Sequence, residues 1–103
     1  MLAVLVEPGF HYVLLFRLRP GVTLKQVRSV RERLESLVET LPGVMHMAVT
    51  DNLSERNAGF TLVLFSVFET RDAFEIFQRH PAWRAVRNEL EEEVVEDWIV
   101  AQG

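Results

Sequence analysis

Apolar residues run almost unbroken from Phe10 to Leu18 (Phe-His-Tyr-Val-Leu-Leu-Phe-Arg-Leu) and stop at Arg19-Pro20-Gly21. A short β-rich run closed by proline and glycine reads as a strand. Thr23 and Gln26 then form a capping box, the mark of a helix start. Behind it, Val27, Val30, Leu34, Leu37, Val38 and Leu41 recur in steps of three and four, which places them on one helix face. Lys25, Arg28, Arg31, Glu32, Arg33 and Glu35 fill the other face, and Pro42-Gly43 ends the helix. A second strand is predicted from about Val44 to Thr50, then a polar loop (Asp51 to Gly59) and a third, strongly apolar strand from Phe60 to Phe68.

Thr70 can cap a helix that runs through Phe74 and Phe77 to Arg79. Proline biases the residue before it away from helical geometry, so the helix must end or kink near His80. Pro81 suits the first turn of a following helix, on which Trp83, Val86 and Leu90 share a face. After Glu91-Glu92-Glu93, Val94 to Val100 is predicted as a last strand.

The order β-α-β-β-α-β predicts an α+β, ferredoxin-like subunit: an antiparallel four-stranded sheet with two helices on one face. The first and third strands are expected as its central pair. In that topology the pair is expected to be parallel, and both strands are apolar at either parity, as strands buried on both faces should be. Residues 1–9 are expected as an N-terminal arm, 10–100 as the domain and 101–103 as a tail.

Helices on one face leave the other to be covered. Four strands of ordinary length and spacing present roughly 330 Å² of projected sheet. Burying that much apolar surface contributes on the order of 8 kcal/mol per subunit before association costs. This predicts a face-to-face, two-fold homodimer, a dimeric α+β barrel. Tyr12, Leu14 and Phe16 of the first strand and Val63, Phe65 and Val67 of the third are the expected contacts. The alternative is a monomer whose apolar start, Met1 to Val6, covers the same face.

Bulk properties narrow the class. With 103 residues, 49% hydrophobic and 25% charged, the chain is of single-domain size. A net charge of −4 without a basic block argues against nucleic acid as a partner. The absence of cysteine removes disulfides, thiolate zinc sites and thiol catalysis, and fits a reducing compartment. The apolar start is six residues long, against the roughly 20 of a membrane helix, and lacks a basic leader. No membrane partner is expected, and the expected location is cytoplasmic.

Five segments then resemble one family. They are His11 to Leu18, Leu41-Pro42-Gly43-Val44, Phe68-Glu69-Thr70, His80-Pro81-Ala82 and Glu96-Asp97-Trp98. In order and spacing they resemble the stress-responsive α/β-barrel (Dabb) domain family, over about residues 10 to 100. The resemblance implies ferredoxin-like subunits that pair through their sheets into a dimeric α+β barrel, with no assigned reaction for most members. It implies a pocket between sheet and helices, lined here by His11, Val13, Leu15, Leu34, Phe77, His80 and Trp83. The polyketide cyclases of the family use the second histidine of a His-Pro-Ala-His motif as acid/base and a tyrosine three residues before the first. Those positions hold Trp83 and Phe77 in this chain. An indole N–H is no base near neutral pH, so the cyclase chemistry does not carry over.

Each remaining residue has a plain structural reading. His80 is a weak catalytic candidate and otherwise a cap at the helix junction. His11 is otherwise a strand-end histidine bonded to a carbonyl, and His46 a solvent-facing edge residue. Phe77 and Trp83 line a cavity or fill it. Glu89, Glu91, Glu92, Glu93 and Glu96 read as a solvated face, and the three histidines lack metal-site spacing. No metal or other cofactor is expected. The sequence thus favours a homodimeric barrel that binds a small hydrophobic ligand. The alternative is an enzyme on a small aromatic or polyketide-like substrate, of cyclase or cofactor-independent monooxygenase type.

Overall fold

The computed structural model describes residues 9–103. The expected N-terminal arm, apart from Gly9, lies outside the described residues. Strand β1 (Phe10–Leu18) is followed by helix α1 (Leu24–Thr40), strands β2 (Val44–Asp51) and β3 (Phe60–Phe68), helices α2 (Arg71–Arg79) and α3 (Pro81–Glu89), and strand β4 (Val95–Gln102). A single π-helical turn, Leu90–Val94, joins α3 to β4. The Thr23–Gln26 capping box closes the start of α1 as expected. No helix among the described residues is long and apolar enough to cross a membrane.

The strands form one sheet in the order β2-β3-β1-β4, with β1 and β3 central. Every pairing is antiparallel, including β1 with β3, where Leu14 stands opposite Leu64 and Phe16 opposite Leu62. The parallel orientation expected for this central pair is therefore corrected. The crossover through α1 makes β2 parallel to β1. The hairpin return then places β3 between them, antiparallel to both. The two-sided pattern records a second face to be covered.

The core lies between the sheet and the helices. Tyr12, Leu14 and Phe16 of β1 pack there with Leu62, Leu64 and Phe68 of β3, Val30, Leu34 and Leu37 of α1, and Phe74, Phe77, Trp83 and Val86. One polar side chain is buried with them. Ser66 is fully covered, and its hydroxyl donates to the Tyr12 carbonyl at 2.7 Å. The satisfied bond removes the cost of burying that hydroxyl.

This corrects the expected interface. Alternation along a strand sends neighbours to opposite faces, so Tyr12, Leu14 and Phe16 lie under the helices. His11, Val13, Leu15 and Arg17 share the open face with Val63, Phe65 and Val67. Both parities of β1 are apolar, so hydrophobicity left its phase undetermined. Val63 and Phe65 are half-buried, whereas Val67 is already fully buried within the subunit.

The π turn was not anticipated. It carries Glu91, Glu92 and Glu93 outward, where all three are exposed, and turns Leu90 and Val94 into the core. The last strand accordingly starts at Val95 and continues two residues past the expected Val100.

Candidate functional site

The helix junction is built locally. The Thr70 hydroxyl accepts the Ala73 N–H at 3.0 Å and starts α2. His80 ends that helix in extended geometry (φ −70°, ψ 134°), with its own N–H donating to the Phe77 carbonyl at 3.0 Å. The same residue caps the next helix: its Nδ1 accepts the Ala82 N–H at 3.0 Å, with Pro81 in the first turn. Pro81 has no N–H to leave unsatisfied, so this cap serves the first donor that needs one.

The cap also decides what His80 can do. Its Nδ1 lone pair is occupied by the Ala82 N–H, so taking a proton there breaks the cap. A His80→Ala variant is expected to lose about 1 kcal/mol of stability and His80→Asn, which can cap, clearly less. Thermal melts of the two variants check this. Equal losses would show that the cap contributes nothing.

Phe77 and Trp83 fill the space under the junction. Trp83 is fully buried and Phe77 is 2% exposed. Their rings stack at 5.0 Å between centroids with 28° between planes. Phe77 meets Phe68 at 4.8 Å, and the Tyr12 ring stands edge-on to Trp83 at 6.4 Å. Leu34 closes the same core at 0% exposure. Burial pushes the Tyr12 phenol above its ordinary value, so it stays protonated at neutral pH. The residue nearest the cyclase-type position is thus a packed indole, whose N–H has no acceptor among the described protein atoms.

The seven expected pocket residues do not form one site. Leu34, Phe77 and Trp83 are brought together as core, and His80 sits at its margin as the cap. His11, Val13 and Leu15 lie across the sheet from them, on the open face, which corrects the expected pocket. The strand residue that reaches Trp83 is Tyr12, one position away from His11. Sequence reasoning missed it because β1 is apolar in both phases.

The open face has its own pattern. Val13 pairs with Phe65, and Leu15 with Val63 on one side and Ile99 on the other. Ala48 and Ala101 extend the Val13–Phe65 row to both edges of the sheet. At one end, His11 and His46 stand on either side of Val67 and lean over Phe65, with ring centroids 6.2 and 6.0 Å from it. The His11 Nδ1–H donates to the Gly103 carbonyl at 3.1 Å, as expected of a strand-end histidine. At the other end, Arg17 bridges Glu96 and Asp97 at 3.2 and 3.3 Å.

The clefts that open at the surface lie elsewhere. One, of about 230 Å³, runs between α1 and the π turn and is lined by Lys25, Ser29, Arg33, Glu89 and Glu93. Its Arg33–Glu89 ion pair holds the Glu89 carboxyl below its ordinary value by hydrogen bonding. Both side chains are more than a third exposed, so water limits this pair to under about 1 kcal/mol. A second cleft, of about 210 Å³, lies beside the start of β4, among Arg19, Glu91, Glu96, Asp97 and Trp98. No group of three or more metal-ligating side chains occurs among the described residues.

An Arabidopsis thaliana protein of known crystal structure superposes with a TM-score of 0.85 at 18% identity, over 92% of this chain and 93% of that one. A hydroxynitrile lyase from Passiflora edulis reaches 0.83 at 19% identity, over 94% of each chain. A dimeric ferredoxin-like protein of unknown function from Thermobifida fusca reaches 0.78 at 24% identity, over 92% of this chain and 89% of that one. At these identities the likeness shows the fold alone. No curated protein matches the chain in sequence. The family model of the stress responsive A/B barrel domain matches residues 10–102, and the chain belongs to that family.

Proposed function

We propose that the chain is one half of a homodimeric α+β barrel whose two sheets close on each other, and that it serves as a binding module without cyclase chemistry. The observation that carries this reading is the open sheet face. Val13, Leu15, Ala48, Val63, Phe65, Ile99 and Ala101 form a contiguous apolar surface across all four strands. An exposed face of this kind marks an interaction site. The Thermobifida fusca structure, and similar ones from Bacteroides fragilis and Jannaschia, are described as dimeric, which supports a second copy as the occupant.

The space between sheet and helices is filled by Phe77 and Trp83. Two observations count against acid/base catalysis at the helix junction. His80 uses its Nδ1 as a cap, and Trp83 offers only an N–H donor. Sedimentation velocity at micromolar concentration is expected to show a species of twice the 11.9 kDa chain mass. An 11.9 kDa species alone would overturn the reading in favour of a monomer covered by its own N-terminal residues.

A further inference from the structure

We infer that the two subunits join along their β4 edges, each β4 running antiparallel to its copy about a two-fold axis at Val100. The inference rests on the dimer proposed above and says which edge closes it. The open face projects roughly 330 Å² of sheet. About twice that, allowing for the relief of its side chains, stays below the roughly 800 Å² per subunit of a stable interface. Contact beyond the face is needed, and the sheet offers it at its two edges, β2 and β4.

The two edges differ. β2 carries a bulge at Met45, and the Glu35 carboxylate reaches from α1 to accept its Val49 N–H at 3.1 Å. A bulge and a charged side chain on the edge both hinder the addition of a further strand. β4 is regular against β1 from Asp97 to Gln102. The Gly103 N–H donates to the His11 carbonyl at 3.0 Å, so by alternation Ala101 and Ile99 also turn their backbone groups toward β1. Trp98, Val100 and Gln102 turn theirs to the free side. Ile99 and Val100, on opposite faces of the sheet, are 48% and 49% exposed. An apolar edge of this kind, without bulge, proline or lysine, is a template for another strand.

The register follows from one local contact. The Asp97 Oδ1 accepts the Trp98 N–H at 2.9 Å, which leaves Val100 and Gln102 as the free donors of this edge. With the axis at Val100, its N–H donates to the carbonyl of the partner's Val100, and its own carbonyl accepts in return. On each side, the Gln102 N–H donates to the carbonyl of the partner's Trp98. An axis at Trp98 has no free central donor and sets Glu96 against the partner's Val100. On the open face, the Val100 register places Ile99 against the partner's Ala101. The apolar surface of Val13, Leu15 and Phe65 thus continues across the seam. The two sheets become one coiled sheet, closed along β4 and open along the capped β2 edges.

The test replaces Val100 with cysteine in a chain that has no cysteine of its own. In a hydrogen-bonded antiparallel pair the Cα atoms stand about 5.5 Å apart, within disulfide range. Under copper–phenanthroline oxidation at micromolar concentration, Val100→Cys is expected to become mostly disulfide-linked dimer. Ile76→Cys, on the exposed helix layer, reports random collision and is expected to link about tenfold more slowly. Val100→Pro removes the central donor and leaves the β1 ladder intact, because that N–H faces away from β1. With an unchanged circular dichroism spectrum, it is expected to raise the dimer dissociation constant by about tenfold or more. A Val100→Cys protein that sediments as a dimer but links no faster than Ile76→Cys would overturn the β4 seam and leave the face-to-face dimer standing. So would a folded Val100→Pro protein with the wild-type constant. A wild type that sediments only as a monomer would overturn both the seam and the dimer on which it rests.

Discussion

Replacing Trp83 with alanine is expected to lower the free energy of unfolding by about 3–5 kcal/mol, the range for deleting a large buried aromatic. Trp83 is fully covered and joins three parts of the core: Phe77 stacks on it, Tyr12 meets it edge-on, and it shares α3 with buried Val86. The neighbours cannot collapse freely into the space it leaves. Tyr12 and Phe68 are fixed in the central strands, and the Phe77 backbone is held by the His80 junction. A domain of this size has only about 5–15 kcal/mol of stability, so the loss is a large fraction of the whole. It corresponds to a fall in melting temperature of roughly 15–30 °C. Trp83→Phe keeps a stacked ring and removes an N–H that has no acceptor among the described residues, so it should cost much less. Thermal or urea unfolding of both variants decides the matter. A loss below about 1.5 kcal/mol for the alanine variant would mean that this space is loosely packed, and a binding pocket under the helices would become the better reading.

That contrast shows where the sequence was legible. The His80-Pro81 break was readable because proline acts on its own neighbour and needs no tertiary partner. The structure places the end of α2 and the start of α3 at that residue, with the imidazole as the cap. The Thr23 and Thr70 caps were legible for the same reason, and so was the one-sided face of α1. The order of elements predicted the fold, and the family resemblance agreed with it by summing five segments, none decisive alone.

The candidate site was less legible because it depends on which face of β1 meets the helices. His11, Val13 and Leu15 compete with Tyr12, Leu14 and Phe16, and both sets are apolar enough to be core. A one-residue change of phase exchanges the two faces completely. What decides is cross-strand pairing. Leu14 and Phe16 face Leu64 and Leu62, and this larger set fills the helix-covered side. The smaller set of Val13, Leu15 and Val63 is left with Phe65 on the open face. Arg17 was a usable signal, since it shares parity with His11 and its charge favours the side without helices. The π turn was illegible for another reason. Leu90 and Val94 both point inward across three glutamates, a spacing that an ordinary helical turn also satisfies.

In the proposed sheet-to-sheet dimer, Phe65 is the position with the largest expected effect. Phe65→Glu is expected to convert the dimer to a folded monomer, raising the dissociation constant by at least about 10³, or roughly 4 kcal/mol. Phe65 lies at the centre of the open face, between Val13 and Ala48 in register, and is only half-buried in the single subunit. Its side chain is on the opposite side of the sheet from the core, so the substitution leaves the Trp83–Phe77 packing in place. A two-fold dimer buries two such carboxylates in an apolar contact, each costing several kcal/mol when unpaired. Ile76→Glu is the matched control. Ile76 is 64% exposed on the helix layer, away from the open face, and its replacement should change neither mass nor stability appreciably. Sedimentation velocity on the wild type and both variants, with a thermal melt of each, separates the outcomes. A Phe65→Glu protein that melts like the wild type but sediments as a monomer supports the sheet-to-sheet barrel. If it remains a dimer, the subunits meet through another surface.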